Sequence, residues 1–157
     1  MANMYNGITI PVTVVEGNIT IADTVSVTGD SKKPVVSNPV APGEKVAIVG
    51  DFQVEKADGT NGTIIGFVHD HPEYSVDPTK AYTKAQAISA GMLRECGVET
   101  AFTDVREVTA KASEGIVAGD YVEDGADGQT YEKASDATNM IALSAQDAEN
   151  KFTVGIR

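Results

Sequence analysis

Four short stretches hold the residues that could do chemistry in this chain. The first, Gly115 to Ala134, reads GIVAGDYVEDGADGQTYEKA and sets Asp120, Glu123, Asp124 and Asp127 among glycines, with Glu132 following. A calcium loop of the EF-hand kind needs oxygen ligands at positions 1, 3 and 5, glycine at 6 and glutamate at 12. A frame begun at Asp120 puts Val122 at position 3, and one begun at Asp124 puts Ala126 and Gly128 at positions 3 and 5, so no frame fits. Asp-Gly occurs instead at Asp124-Gly125 and Asp127-Gly128, and that dipeptide suits the positive φ angles of tight turns. With Tyr121-Val122 before it and Thr130-Tyr131 after it, the acidic run reads as the turn of a β-hairpin.

The second stretch is His69-Asp70-His71. On a strand, residues i and i+2 project to one face, the spacing of a chelating pair. A third ligand would come from Glu73, Asp77 or elsewhere, and the spacing selects none of them. His69 and His71 are therefore weak metal candidates in a segment, His69 to Pro78, that reads as a loop. The third feature is the lysine of Glu-Lys-Ala, found at Lys56 and Lys133. It is similar to the modified lysine of lipoyl carrier domains, but there the lysine stands at a hairpin tip. Here each lysine precedes its turn and reads as a solvated strand-end cation. The fourth is Cys96, the single cysteine, flanked by Arg94 and Glu95. It rules out an intrachain disulfide, and a reactive thiolate would need a base brought to it by the fold. The chain has no Gly-x-Ser-x-Gly elbow, P-loop or Rossmann fingerprint. The expectation is a protein without catalytic residues, metal or cofactor.

The elements that position these residues are strands. Ile8, Ile10, Val12 and Val14 alternate with Thr9, Pro11 and Thr13, and Ile19, Ile21, Val25 and Val27 alternate with Thr20, Ala22, Thr24 and Ser26. Glu16-Gly17-Asn18 lies between the two runs, so residues 8–27 read as a hairpin. Pro11 cannot donate to a ladder and predicts an edge position for the first strand. Residues 28–43 (TGDSKKPVVSNPVAPG) read as a linker or an extended arm. Thr79 to Glu95 has a helical apolar face (Ala81, Ala85, Ile88, Met92) interrupted by Gly91. Gly97 to Val108 and Lys151 to Arg157 read as strands, the latter with Phe152, Val154 and Ile156 on one face.

Most informative is an internal repeat spanning residues 43–70 and 119–147. Gly43-Glu44-Lys45-Val46 parallels Gly119-Asp120-Tyr121-Val122, and Val54-Glu55-Lys56-Ala57 parallels Tyr131-Glu132-Lys133-Ala134. Ile64-Ile65-Gly66-Phe67 then parallels Met140-Ile141-Ala142-Leu143. Two copies predict two related β-ribbons and are too few for a solenoid.

Composition narrows the function. The net charge of -11, from 23 acidic and 12 basic residues, repels a phosphate backbone, and no basic stripe offsets it, so nucleic acid is an unsuitable partner. No stretch approaches the ~18 consecutive apolar residues of a membrane span, and MANMYNGITI lacks the basic start and apolar core of a signal peptide. The expectation is a soluble protein made in a cytoplasm, with no membrane partner.

From Gly97 onward the chain resembles the capsid cement, or head decoration, proteins of tailed viruses. The residues that carry the likeness are Gly97-Val98-Glu99-Thr100-Ala101-Phe102, then Glu114 to Val122 (EGIVAGDYV) and Thr130-Tyr131-Glu132-Lys133-Ala134. Met140-Ile141-Ala142-Leu143-Ser144-Ala145 and Thr153-Val154-Gly155-Ile156 complete it. Ala142 stands where the family pattern usually has glycine. The resemblance implies a mainly β fold, a small antiparallel β-barrel or β-tulip, and a homotrimer that clamps the outer face of an icosahedral capsid. Its partner would be the major capsid protein, and its final location the virion exterior. A second reading is an adhesion or glycan-binding β-module, with Tyr74, Tyr82 and Tyr121 as its aromatic candidates. Two domains are expected, an N-terminal arm and linker over 1–40 and a decoration domain over 41–157. In that arm Tyr5, Ile8, Ile10, Val12 and Val14 are the candidate subunit or capsid contacts. The competing expectation is that residues 8–27 complete the domain's own sheet, since sheets need three or more strands.

Overall fold

The computed structural model describes residues 7–14, 19–21, 34–36, 40–69 and 94–157, and every regular element among them is a strand. In chain order these are β1 (Thr9–Val14), β2 (Ile19–Ile21), β3 (Pro34–Val36), β4 (Lys45–Gly50), β5 (Gln53–Lys56) and β6 (Thr63–Val68). They are followed by β7 (Arg94–Thr100), β8 (Asp104–Thr109), β9 (Val122–Asp124), β10 (Tyr131–Lys133), β11 (Met140–Ala142) and β12 (Lys151–Ile156). The fold is mainly β, as expected, and its centre is a closed barrel of order β1-β5-β4-β6-β7.

Alternation explains why β1 belongs to that barrel. Ile10, Val12 and Val14 are all under 5% exposed and pack with Val46, Ile48, Val54, Ile65, Val68 and Val98 in one core. β1 lies antiparallel to β7 through Ile10↔Val98 and Val12↔Cys96, and touches β5 in parallel only at Thr13↔Gln53 and Val14↔Val54. Thr13 N–H donates to Phe52 O at 2.8 Å, so the odd residues of β1 turn their N–H positions toward β5. Pro11 therefore sits where β5 has not yet begun, and its missing donor costs nothing. The expected edge is real, but it is half of one strand.

The hairpin expected over 8–27 is replaced by other pairings. β1 closes the barrel, while β2 pairs antiparallel with β3 through Thr20↔Val35. A three-residue strand such as β2 cannot cover the apolar face of β1, whereas the barrel covers it fully. The strand expected over 97–108 is likewise two strands. Between them Thr100, fully buried, donates its hydroxyl to Ile8 O at 2.6 Å and accepts Phe102 N–H at 3.1 Å. That satisfied polar corner turns the chain out of the barrel and drives Phe102 into the core. Of the segment with helical periodicity, residues 79–93 lie outside the described residues, and Arg94 and Glu95 belong to β7.

The C-terminal third builds a second layer on the barrel. β11, β12 and β8 form a three-stranded sheet in that order. One face, with Ile141 and Val105, joins Phe102 in the barrel core. The other, with Ala142, Val154, Phe152 and Val108, joins Ile116 and Val122 in a second core. Gly155 permits the close approach, because a Cβ there would lie 2.6 Å from the Phe102 ring. The β4–β5 turn locks the layers together. Phe52, at φ 51, donates its N–H to Leu143 O at 2.9 Å, and Asp51 Oδ1 accepts Ala145 N–H at 2.7 Å.

Candidate functional site

The two repeats fold into matching units. In the first, Val40 is buried and a turn follows in which Glu44 N–H donates to Ala41 O, with Gly43 at φ 85. In the second, Ile116 is buried and Asp120 N–H donates to Val117 O, with Gly119 at φ 96. Both have the geometry of a type II turn, whose third position requires positive φ and hence glycine. The acid then folds back on its own turn. Glu44 Oε2 accepts Ala41 N–H at 2.8 Å, and Asp120 Oδ2 accepts Val117 N–H at 2.9 Å.

The same acids hold the two Glu-Lys-Ala lysines. Lys56 Nζ lies 2.7 Å from Glu44 Oε1, and Lys133 Nζ lies 2.9 Å from Asp120 Oδ2. The ladders agree, with Val46↔Lys56 matching Val122↔Lys133 and Ala47↔Glu55 matching Glu123↔Glu132. The third anchor is displaced. Val68, not Gly66, exchanges hydrogen bonds with Gly43 and Glu44 as Ala142 does with Gly119 and Asp120. Neither lysine sits on a hairpin tip. Lys56 hydrogen bonding is the first cause that holds the Glu44 carboxyl below its usual range, followed by the Ala41 N–H.

The acidic run of the second unit is a hairpin turn. Asp124↔Tyr131 closes the β9–β10 ladder, and Gly125 N–H donates to Thr130 O at 2.7 Å. Asp127 faces inward to the loop, accepting N–H bonds from Thr130 at 2.8 Å and Gln129 at 2.9 Å, and the Thr130 hydroxyl. These donors, Thr130 N–H first, depress its pKa. Its oxygens serve the turn.

Other sequence-level candidates separate. His69 Nδ1 lies 2.6 Å from Glu99 Oε1, a neighbour that loop spacing did not name, while His71 lies outside the described residues. Among the described residues no three His, Cys, Asp or Glu side chains gather as an ion would require. Cys96 is buried in the barrel core. Ile10, Val12 and Val14 also face that core, so of the candidate contacts in β1 and just before it only Ile8, at 38% exposed, reaches solvent. Tyr5 lies outside the described residues, as do Tyr74 and Tyr82, and Tyr121 packs against the barrel core.

A surface feature that patterning missed lies where the units meet. An open groove of about 400 Å³ runs between the 59–63 loop and the 118–119 turn, floored by Ile48 and bridged by Thr63 Oγ1 donating to Gly119 O at 2.8 Å. Val49 lines it at 36% exposed, and Val117, beside the lining residue Ala118, is 51% exposed. In the sequence Val46-Ala47-Ile48-Val49 is an unbroken apolar run that names no outward residue. Register shifts on both sides of β4 bury Ala47 and Ile48 together and leave Val49 outside.

Comparisons with protein-family models, with curated proteins and with solved structures return no match.

Proposed function

We propose that this chain is a structural protein that docks, as a homotrimer, on the outer face of an icosahedral viral shell. There it bridges neighbouring copies of the major capsid protein, without catalysis. One observation carries the reading: the pattern that resembles cement proteins coincides with a mechanical unit rather than a chemical one. Ile116, Gly119, Asp120 and Val122 form a buried anchor, a glycine turn, its carboxylate lock and the first rung of a ribbon. Lys133 ties that ribbon back to the turn, and Ala142 pairs the turn to the second sheet. The exposed Val117 and Val49 beside the groove offer apolar contact on this scaffold. Binding several shell subunits at once raises the free energy needed to part them, because each further contact is intramolecular once the first has formed.

The test is light scattering on the purified chain, then co-sedimentation with empty shells of the encoding virus. A trimer that sediments with shells and raises their melting temperature supports the reading. Val117→Asp and Val49→Asp should weaken that binding while leaving the chain's own melting temperature within a few degrees. A monomer that ignores shells would overturn it in favour of the adhesion module.

A further inference from the structure

The three-stranded sheet ends on β8, and that edge is open along Val105 and Glu107. Leu143 N–H donates to Thr153 O at 2.8 Å, so odd residues of β12 bond toward β11 and even residues toward β8. With Val154 opposite Arg106, the even residues of β8 are committed to β12. The N–H and C=O groups of Val105 and Glu107 then point outward; among the described residues that side meets a strand only past the end of β8, where Ala110 bridges Tyr131 of β10 and Lys111 N–H donates to Tyr131 O at 2.8 Å. A row of unpaired backbone groups on a sheet edge is a template for another strand.

The side chains along the edge select which strand. Asp104 and Arg106 share one face, with Arg106 Nε donating to Asp104 Oδ2 at 2.6 Å, and their side chains are 36% and 62% exposed. Two copies related by a two-fold axis normal to the sheet pair antiparallel with their faces aligned. The axis must then pass through a residue position, since facing residues project to the same side. Centred on Arg106, the register opposes arginine with arginine, and centred on Glu107 it opposes glutamate with glutamate. Centred on Val108, it leaves Arg106 facing Ala110. Centred on Val105, it sets Asp104 of each copy against Arg106 of the other. Val105 then faces its own mate, and their outward N–H and C=O groups exchange two hydrogen bonds. Four charges of alternating sign close a ring on one face. A single arginine would guard such an edge, but an alternating Asp/Arg pair makes it self-complementary.

We propose that β8 is a homotypic pairing edge, on which a second copy of this chain adds antiparallel in the register centred on Val105. The inference is independent of the shell reading, since it concerns this chain alone. One short edge falls below the size of a standard interface, so the association is weak and salt-sensitive.

Analytical ultracentrifugation over a wide concentration range at low salt tests it. The expected result is a doubling of mass at high concentration, whatever the smaller species is. Arg106→Glu sets like charges opposite one another and should weaken that doubling on the order of tenfold. The double exchange Asp104→Arg with Arg106→Asp should restore it. Circular dichroism confirms that each variant is folded. Absence of doubling, doubling indifferent to Arg106→Glu, or failure of the double exchange to restore it would each overturn the proposal.

Discussion

Asp127 shows how a residue with the look of a ligand becomes a fastener. It is exposed, yet its carboxylate gathers the Thr130 N–H first, then the Gln129 N–H and the Thr130 hydroxyl, and its pKa falls accordingly. Asp58 does the same for Thr60 and Asn61 in the loop before β6. A carboxyl whose folded pKa is depressed contributes stability that is fully present above its unfolded value, near pH 4, and is lost as pH falls through the folded value. Urea midpoints measured at pH 7 and pH 3 should therefore show an acid-induced loss in the parent chain. Asp127→Asn retains an acceptor but no charge, so it should lower the pH 7 midpoint and narrow the gap between the two. An unchanged gap would mean that the turn does not use the charge. This much was legible in the sequence, because Asp-Gly reports its turn through local backbone chemistry alone. The Glu99 neighbour of His69 was not, since it arrives from another strand 30 positions away.

At the scale of elements, the repeat was legible in two of its three anchors. The turn and the lysine strand align because glycine at positive φ and the acid–lysine pair leave fixed residue types at fixed positions. The third anchor slipped by two residues, so that Val68 rather than Gly66 answers Ala142. A one-residue slip would have flipped every side chain to the wrong face, but a two-residue slip preserves facing and leaves no mark on the pattern. The matching turns also separate the roles of acid and base. Asp120 accepts the Val117 N–H and pairs with Lys133, whose side chain is 41% exposed. Exposed ion pairs contribute little, whereas a backbone hydrogen bond to a charged acceptor contributes more. Lys133→Met should cost under about 0.5 kcal/mol, and Asp120→Ala about 1–2 kcal/mol. Equal costs in denaturant titrations would show that the ion pair, rather than the turn lock, holds the ribbon.

For the whole molecule, mainly β architecture followed from period-2 alternation and turn residues, but closure did not. Whether β1 extends as an arm or joins its own barrel depends on a pairing with β7, as at Thr9↔Glu99, that no local pattern encodes. Alternation fixed the apolar face of β1 without saying what would cover it. The barrel covers it, and this changes what a truncation can report. Removing residues 1–40 takes away β1 together with any arm, so lost shell binding would reflect a lost fold. Without β1 the barrel opens between β5 and β7, and the partners of Ile10, Val12 and Val14 meet water. Each of those side chains contributes roughly 1.5–3 kcal/mol by burial, a sum comparable to the whole stability of a domain this size, about 5–15 kcal/mol. The two cores share the β11-β12-β8 sheet as a wall, with Phe102 set against Gly155, so damage to the barrel spreads to the second layer. Deletion of residues 1–6 should therefore leave a single cooperative melt, and deletion of residues 1–14 should abolish it, both read by near-ultraviolet circular dichroism and calorimetry. A cooperative melt that survives the longer deletion would show that β1 is dispensable to the barrel, and would return the N-terminal segment to the role of an arm.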